Sequence, residues 1–227
     1  MRGRRRDQPY KELIFLLFSL KPTTDLKNLP LKGYAGRTSR LDIPLRTAWK
    51  LFSSCVHEDL DLRVSIVLHG PPSPPLHVFI TEDAGLGELR EERMLFKVLQ
   101  DAARGSGKGI LVERKGFSDV LKQYVGGGLK PYLLCSNGVP ITKVMNELGR
   151  SPTLFIMGTD IDVPEFMLRG VFGIKRVSVG PREYLTSHAA LFAAYMKLLA
   201  VKGLQFSYDS VEPGLLNLNA GRAPLVL

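Results

Sequence analysis

The sequence predicts an α/β protein in which helices flank a mainly parallel sheet. Three stretches carry that reading: "YLLCSNG" at 132–138, "TLFIMG" at 153–158 and "KRVSVG" at 175–180. Each is short and apolar and ends in glycine, with helical or loop segments between. Strands covered by helices on both faces read as such runs rather than as alternating patterns. In sheets of this kind ligands sit at the carboxyl ends of the strands, so Gly138, Gly158 and Gly180 are expected to gather where a ligand approaches bare backbone. The chain of 227 residues is 44% hydrophobic, enough for one substantial core.

The elements follow in order. The start, "MRGRRRDQPYKELIFLLFSLKPTT", imitates a secretory leader, because four arginines precede the apolar run Leu13 to Leu20. No small-residue cleavage site follows, Lys11 and Glu12 abut the run, and the run is too short to span a bilayer. It therefore reads as a first strand over 11–20 behind a basic arm, 1–10. Leu41, Leu45, Ala48, Phe52 and Cys55 recur at helical spacing, and Asp42 before Ile43-Pro44 reads as the helix N-cap. "RVSIVLHG" (63–70) is a strand, and "LHVFIT" (76–81), beyond a proline-stiffened loop, is a second one or its partner. Leu89, Phe96, Leu99 and Ala103 mark a helix, "ILVER" a strand, and "FSDVLKQYV" a helix ended by Gly126 to Gly128. A long amphipathic pattern after Gly180-Pro181 is the last helix. In the tail, 201–227, Phe206, Tyr208, Leu215 and Leu216 are free to pack on a surface.

Several chemistries lack their residues. "GSGKG" at 105–109 is not a phosphate-binding loop, because Ala102 and Gly109 stand where a glycine and a magnesium-holding hydroxyl belong. His57, His69, His77 and His188 show neither metal-ligand spacing nor a Ser-His-Asp context, and no G-x-G-x-x-G follows the first strand. Two cysteines, Cys55 and Cys135, are too few for a disulfide framework and fit reduced thiols in a cytoplasmic protein. Thirty-one basic against 22 acidic residues leave a net charge of +9, which favours a polyanionic partner such as RNA, DNA or anionic lipid.

Six blocks, "SRLD", "VLHGPPSPPLHVFI", "GILVERKGF", "YLLCSNG", "LFIMGTDID" and "VSVGPREYLTSHA", resemble in this order the archaeal tRNA pseudouridine-54 N1-methyltransferases. The resemblance covers about 11–200 and leaves the arm and the tail outside. It implies a SPOUT fold, with a trefoil knot over about 153–200 and S-adenosylmethionine lying bent on the knot. It makes Val177, Ser178, Val179, Gly180, Pro181 and Arg182 the knot loop that holds the adenine edge. Leu134 and Gly158 complete the cofactor pocket, and Ala189 falls where relatives carry cysteine. Two further departures stand out. Gly158-Thr159-Asp160-Ile161-Asp162 replaces Gly-Asp-His-Ile-Gly, and Gly180-Pro181-Arg182 replaces Ser-Pro-Leu, so side-chain contacts to the cofactor differ here.

Methylating N1 of pseudouridine requires loss of a weakly acidic imino proton, which a carboxylate and a cation suit. Asp42 and Arg40 of "SRLD" are the candidates: Asp42 to accept or hold the hydrogen, Arg40 to hold a phosphate or stabilise charge on the base. The plainer alternative is that Asp42 caps its helix and Arg40 pairs with it. Arg114 and Lys115 are placed to meet RNA phosphates, with Phe117 as a stacking surface, or else form a solvated basic face. Arg2, Arg4, Arg5 and Arg6 are a soluble tail or an RNA-clamping arm. SPOUT enzymes usually pair as homodimers through the knot and last helix, and the stripe Leu185, His188, Phe192, Tyr195 and Leu199 suits that interface or burial on the chain's own sheet. The expected partner is the tRNA T-arm, with no metal and no membrane; the alternatives are a pseudouridine in rRNA or a catalytically silent RNA-binding protein.

Overall fold

The computed structural model describes residues 9–30, 38–180 and 182–204. Most of the basic arm, Pro181 and the tail from 205 lie outside the described residues. One sheet organises the fold: β1 (Glu12–Ser19), β2 (Asp61–Leu68), β3 (Leu76–Ile80), β4 (Ile110–Glu113), β5 (Lys130–Pro140), β6 (Thr153–Gly158) and β7 (Lys175–Ser178). Their order is β4-β3-β2-β1-β6-β5-β7. β1, β2, β5, β6 and β7 are parallel, and β3 is antiparallel to both its neighbours. The 76–81 run is therefore the antiparallel partner of β2, and β4 points the same way as the parallel set.

Among the described residues six α-helices cover the faces: α1 (Asp42–Phe52), α2 (Val56–Asp59), α3 (Glu92–Ala103), α4 (Phe117–Gly126), α5 (Met145–Arg150) and α6 (Thr186–Val201). β1 shows why the apolar run at the start is a strand. Leu13, Phe15 and Leu17 enter the core under α1, α3 and α6, while Ile14, Leu16 and Phe18 enter the core under α4. With both faces buried, a central parallel strand has no polar positions to alternate. From β6 the chain crosses on the α4 side, through Val163 and Leu168, to place β7 outside β5. α6 then returns over the other face, burying Ala190, Ala193 and Ala194.

Three expectations are corrected. Asp42 does not cap α1: Leu41 holds the cap position, and Asp42 opens the first turn with its carboxylate spent on arginines. Phe117 is no stacking surface, because its ring is buried edge-on against Phe18, with centroids 5.3 Å apart. The stripe from Leu41 stops at Phe52, and Leu89 precedes α3; Cys55 is exposed before α2. Cys55 and Cys135 are both free thiols. Among the described residues no helix is long and apolar enough to cross a membrane, and no three His, Cys, Asp or Glu side chains group as metal ligands.

Candidate active site

The carboxyl ends of β5, β6 and β7 enclose a cavity of about 380 Å³. Its first wall is an interruption in β5. Leu134 and Val139 both pair with Val177, so residues 135–138 loop out of the ladder and bring Cys135 and Ser136 into the cavity. Gly138 allows this, since a Cβ there would lie 2.5 Å from the Val177 backbone. Burial pushes the Cys135 thiol pKa up, which leaves it a poor nucleophile.

The second wall is the loop after β6. A Cβ on Gly158 would sit 1.8 Å from the Ile161 carbonyl oxygen, so glycine is demanded by the loop folding back on itself. Thr159 and Asp160 then tie the loop to the exit of β1. The Thr159 amide donates to the Phe18 carbonyl (3.0 Å), and the Leu20 and Lys21 amides donate to the Asp160 carboxylate at 2.9 and 3.0 Å. The third wall is the turn after β7. The Ser178 hydroxyl donates to the Gly180 carbonyl (2.6 Å) and accepts from the Gly180 amide (3.2 Å), and a Cβ on Gly180 would strike the Tyr184 ring.

Of the residues that the resemblance implies for the cofactor, Leu134, Gly158, Ser178, Val179, Gly180, Arg182 and Ala189 line this cavity. Val177 is buried beneath it and supports the floor. Gly158 and Gly180 line it, whereas Gly138 lies on the Val177 backbone and lines an adjoining concavity with Ser178, Val179 and Gly180; each of the three makes room for the chain's own backbone or side chain. Thr159, Asp160, Asp162, Glu183 and Tyr184 also line it, and sequence reasoning did not assign them. Only the adjacency of β1 and β6, some 140 residues apart, gives Asp160 its role.

Arg40 and Asp42 stand outside the cavity wall, beside the exit of β1, which neighbours β6. The Thr23 amide donates to the Thr38 carbonyl and joins the two segments. Arg40 grips Asp42 through Nε to Oδ1 (3.1 Å) and Nη2 to Oδ2 (3.3 Å), and Arg46 Nη2 reaches Oδ2 at 3.4 Å. The Asp42 side chain is 2% exposed and that of Arg40 56%, so the guanidinium faces solvent from a buried anchor. Ser39 and Arg40 both have positive φ, 50° and 71°, a conformation that costs a non-glycine residue free energy and clusters at functional sites. Arg114 and Lys115 follow β4 at the same end of the sheet, four strand positions from β6, about 19 Å away at ~4.8 Å per strand. Arg114 is exposed, and Lys115 donates to Gln123.

The structure also assembles a constellation the sequence hid. Tyr124 donates to Ser65 Oγ (3.2 Å), Ser65 meets His77 Nε2 at 2.5 Å, and His77 Nδ1 meets Glu113 at 2.9 Å. This has the connectivity of a hydrolytic triad, but Ser65 is 0% exposed in mid-strand, so no substrate reaches it. Burial holds the His77 pKa down against the opposing pull of Glu113, and the network satisfies polar groups inside the sheet.

The chain is similar to the tRNA (pseudouridine(54)-N(1))-methyltransferase of Aeropyrum pernix, 28% identical over 193 residues that span 82% of this chain and 94% of the relative. It is similar to that of Thermococcus kodakarensis at 30% identity over 186 residues, covering 75% and 89%. Its fold is similar to that of Archaeoglobus fulgidus Nep1 bound to S-adenosylhomocysteine, with a TM-score of 0.54, 14% identity, and coverage of 86% of this chain and 98% of that one. Residues 13–199 match the family model described as "Putative SAM-dependent RNA methyltransferase", and the chain belongs to that family.

Proposed function

We propose that this protein transfers a methyl group from S-adenosylmethionine to N1 of pseudouridine 54 in the tRNA T-loop. The observation that carries the reading is the cavity itself: three loops at adjacent parallel strand ends, one strand away from a preformed Arg40–Asp42 pair. The cavity suits the cofactor in size and charge. Its volume falls in the range of small-molecule sites. Asp162 and Glu183 offer negative charge to a ligand bearing a sulfonium and an ammonium group, and Arg182 offers positive charge to its carboxylate. When bound, the cofactor supplies an electrophilic methyl group.

The chain's own residues do the rest. Leu134 and Val179 give apolar wall, and the Ser178–Gly180 bridge fixes the backbone of the β7 turn. Arg40 meets a phosphate or the negative charge that grows on the base as its N1 proton leaves. Both Asp42 oxygens are engaged by Arg40 and Arg46, so Asp42 acts first as the group that aims Arg40. Arg114, Lys115 and the net charge of +9 extend the RNA surface beyond the reacting base. We further infer that the segment 153–200 forms a trefoil knot and that two chains pair through α6, where Phe192 and Tyr195, with Leu185 just before the helix, are exposed.

Transfer of labelled methyl from S-adenosylmethionine to a pseudouridine-bearing tRNA tests this. Arg40→Ala and Asp42→Asn are expected to lower kcat at least 10-fold while S-adenosylhomocysteine binding stays within two-fold. Full turnover by both variants removes the pair from the mechanism. No transfer by the unaltered protein, with RNA still bound, points to an rRNA pseudouridine or to a silent RNA-binding protein.

A further inference from the structure

A second concavity, of about 400 Å³, opens on the α4 side of β5 and β7. Phe172 stands on its rim with 90% of its surface exposed, the highest value among the large hydrophobic side chains described. Gly170 (φ 78°) and Gly173 (φ 79°) bracket it. A Cβ at Gly170 would touch only the end of the Lys122 side chain at 3.7 Å, and one at Gly173 would touch nothing. These glycines therefore serve the left-handed backbone that holds the ring out, not a crowded neighbour. Arg169 lines the same concavity and the Lys122 side chain ends near Gly170; both are exposed and neither has an ion pair among the described residues. Arg176 lines the same concavity, pairs with Glu165, and lies beside Cys135 of the cofactor cavity.

An aromatic ring held in water beside unpaired cations fits an unstacked nucleotide, whose base takes the ring and whose phosphate takes the cations. A second copy of this chain fits it less well, because a partner with a net charge of +9 meets Arg169 and Lys122 with like charge. We propose that Phe172, Arg169 and Lys122 hold an unpaired nucleotide of the substrate RNA away from the reacting base. The inference rests on the RNA-methyltransferase reading and adds a second point of contact to it.

Binding of a full-length tRNA transcript to the full chain, saturated with S-adenosylhomocysteine, tests the assignment. Phe172→Ala is expected to weaken tRNA binding about 10-fold, within the range found for one stacked base. Phe172→Trp restores it, and Arg169→Ala lowers the slope of log affinity against log salt by about one. Cofactor affinity and sedimentation stay as they were. Phe172→Ala binding tRNA within two-fold of the unaltered protein overturns the proposal, as does a loss of dimer with unchanged tRNA affinity, which assigns the ring to a second copy. An unaltered protein that binds S-adenosylhomocysteine but no tRNA overturns the functional reading and this inference with it.

Discussion

Replacing Asp160 with alanine is expected to loosen the β6 wall of the cavity proposed to hold the cofactor. The carboxylate accepts two backbone amides, Leu20 at 2.9 Å and Lys21 at 3.0 Å, and both bonds are open to solvent. A hydrogen bond to a charged acceptor contributes about 1.5–3 kcal/mol when sheltered. Halving that for exposure leaves about 2 kcal/mol for the pair, or roughly 30-fold in the balance between pinned and released loop. The Thr159 bond to the Phe18 carbonyl remains and holds part of the loop. S-adenosylhomocysteine binding, measured by calorimetry, should weaken about 10-fold, because the ligand must then order the wall it binds. Asp160→Asn keeps one acceptor and should fall between. An alanine variant that binds within two-fold of the original would refute the claim that this clamp shapes the cavity.

Gly158→Ala places a Cβ 1.8 Å from a backbone oxygen that has no rotamer to escape through; cofactor binding should vanish and thermal denaturation should show a loss of about 1–3 kcal/mol. Lys197 is buried, with Nζ donating to the Leu148 and Ser151 carbonyls at 2.6 and 2.8 Å, and burial holds its pKa down to about 8 from 10.5. The unfolded chain keeps more protons than the folded one between those values, so this group makes stability rise with pH across the window, by about 3 kcal/mol at most. Lys197→Met should lack that rise in denaturant titrations from pH 7 to 10.5, and a constant difference between the two proteins would count against it. Lys130 and Lys175 hold the Glu147 pKa down to about 2, so its contribution is complete above pH 4.5 and is lost as pH falls toward 2. Glu147→Gln should flatten acid unfolding in that window by about 1 kcal/mol, given its partial exposure.

The strands were legible because burial on both faces of a parallel sheet leaves an unbroken apolar signature, clearest in Leu13 to Phe18 and Thr153 to Gly158. The glycines were legible as positions but not as causes: periodicity does not reveal that Gly138 lies on Val177 or that Gly158 lies under Ile161. The interruption in β5 depends on how two strands register, and the Asp160 clamp on which strand lies beside β1. Neither is a local property. Asp42 and Phe117 misled for the same reason, since an aspartate before Ile-Pro and an aromatic beside Arg-Lys each have a local reading that tertiary contacts override. The Ser65, His77 and Glu113 contact joins three strands and leaves no spacing signal.

The most direct test of the account is nucleoside mapping after incubation with S-adenosylmethionine and two T-arm hairpins, one carrying pseudouridine and one uridine at the target. Methyl on N1 of pseudouridine, with the uridine hairpin untouched, is the predicted result. Methyl on any other atom, or none on either hairpin while the cofactor binds, would contradict it.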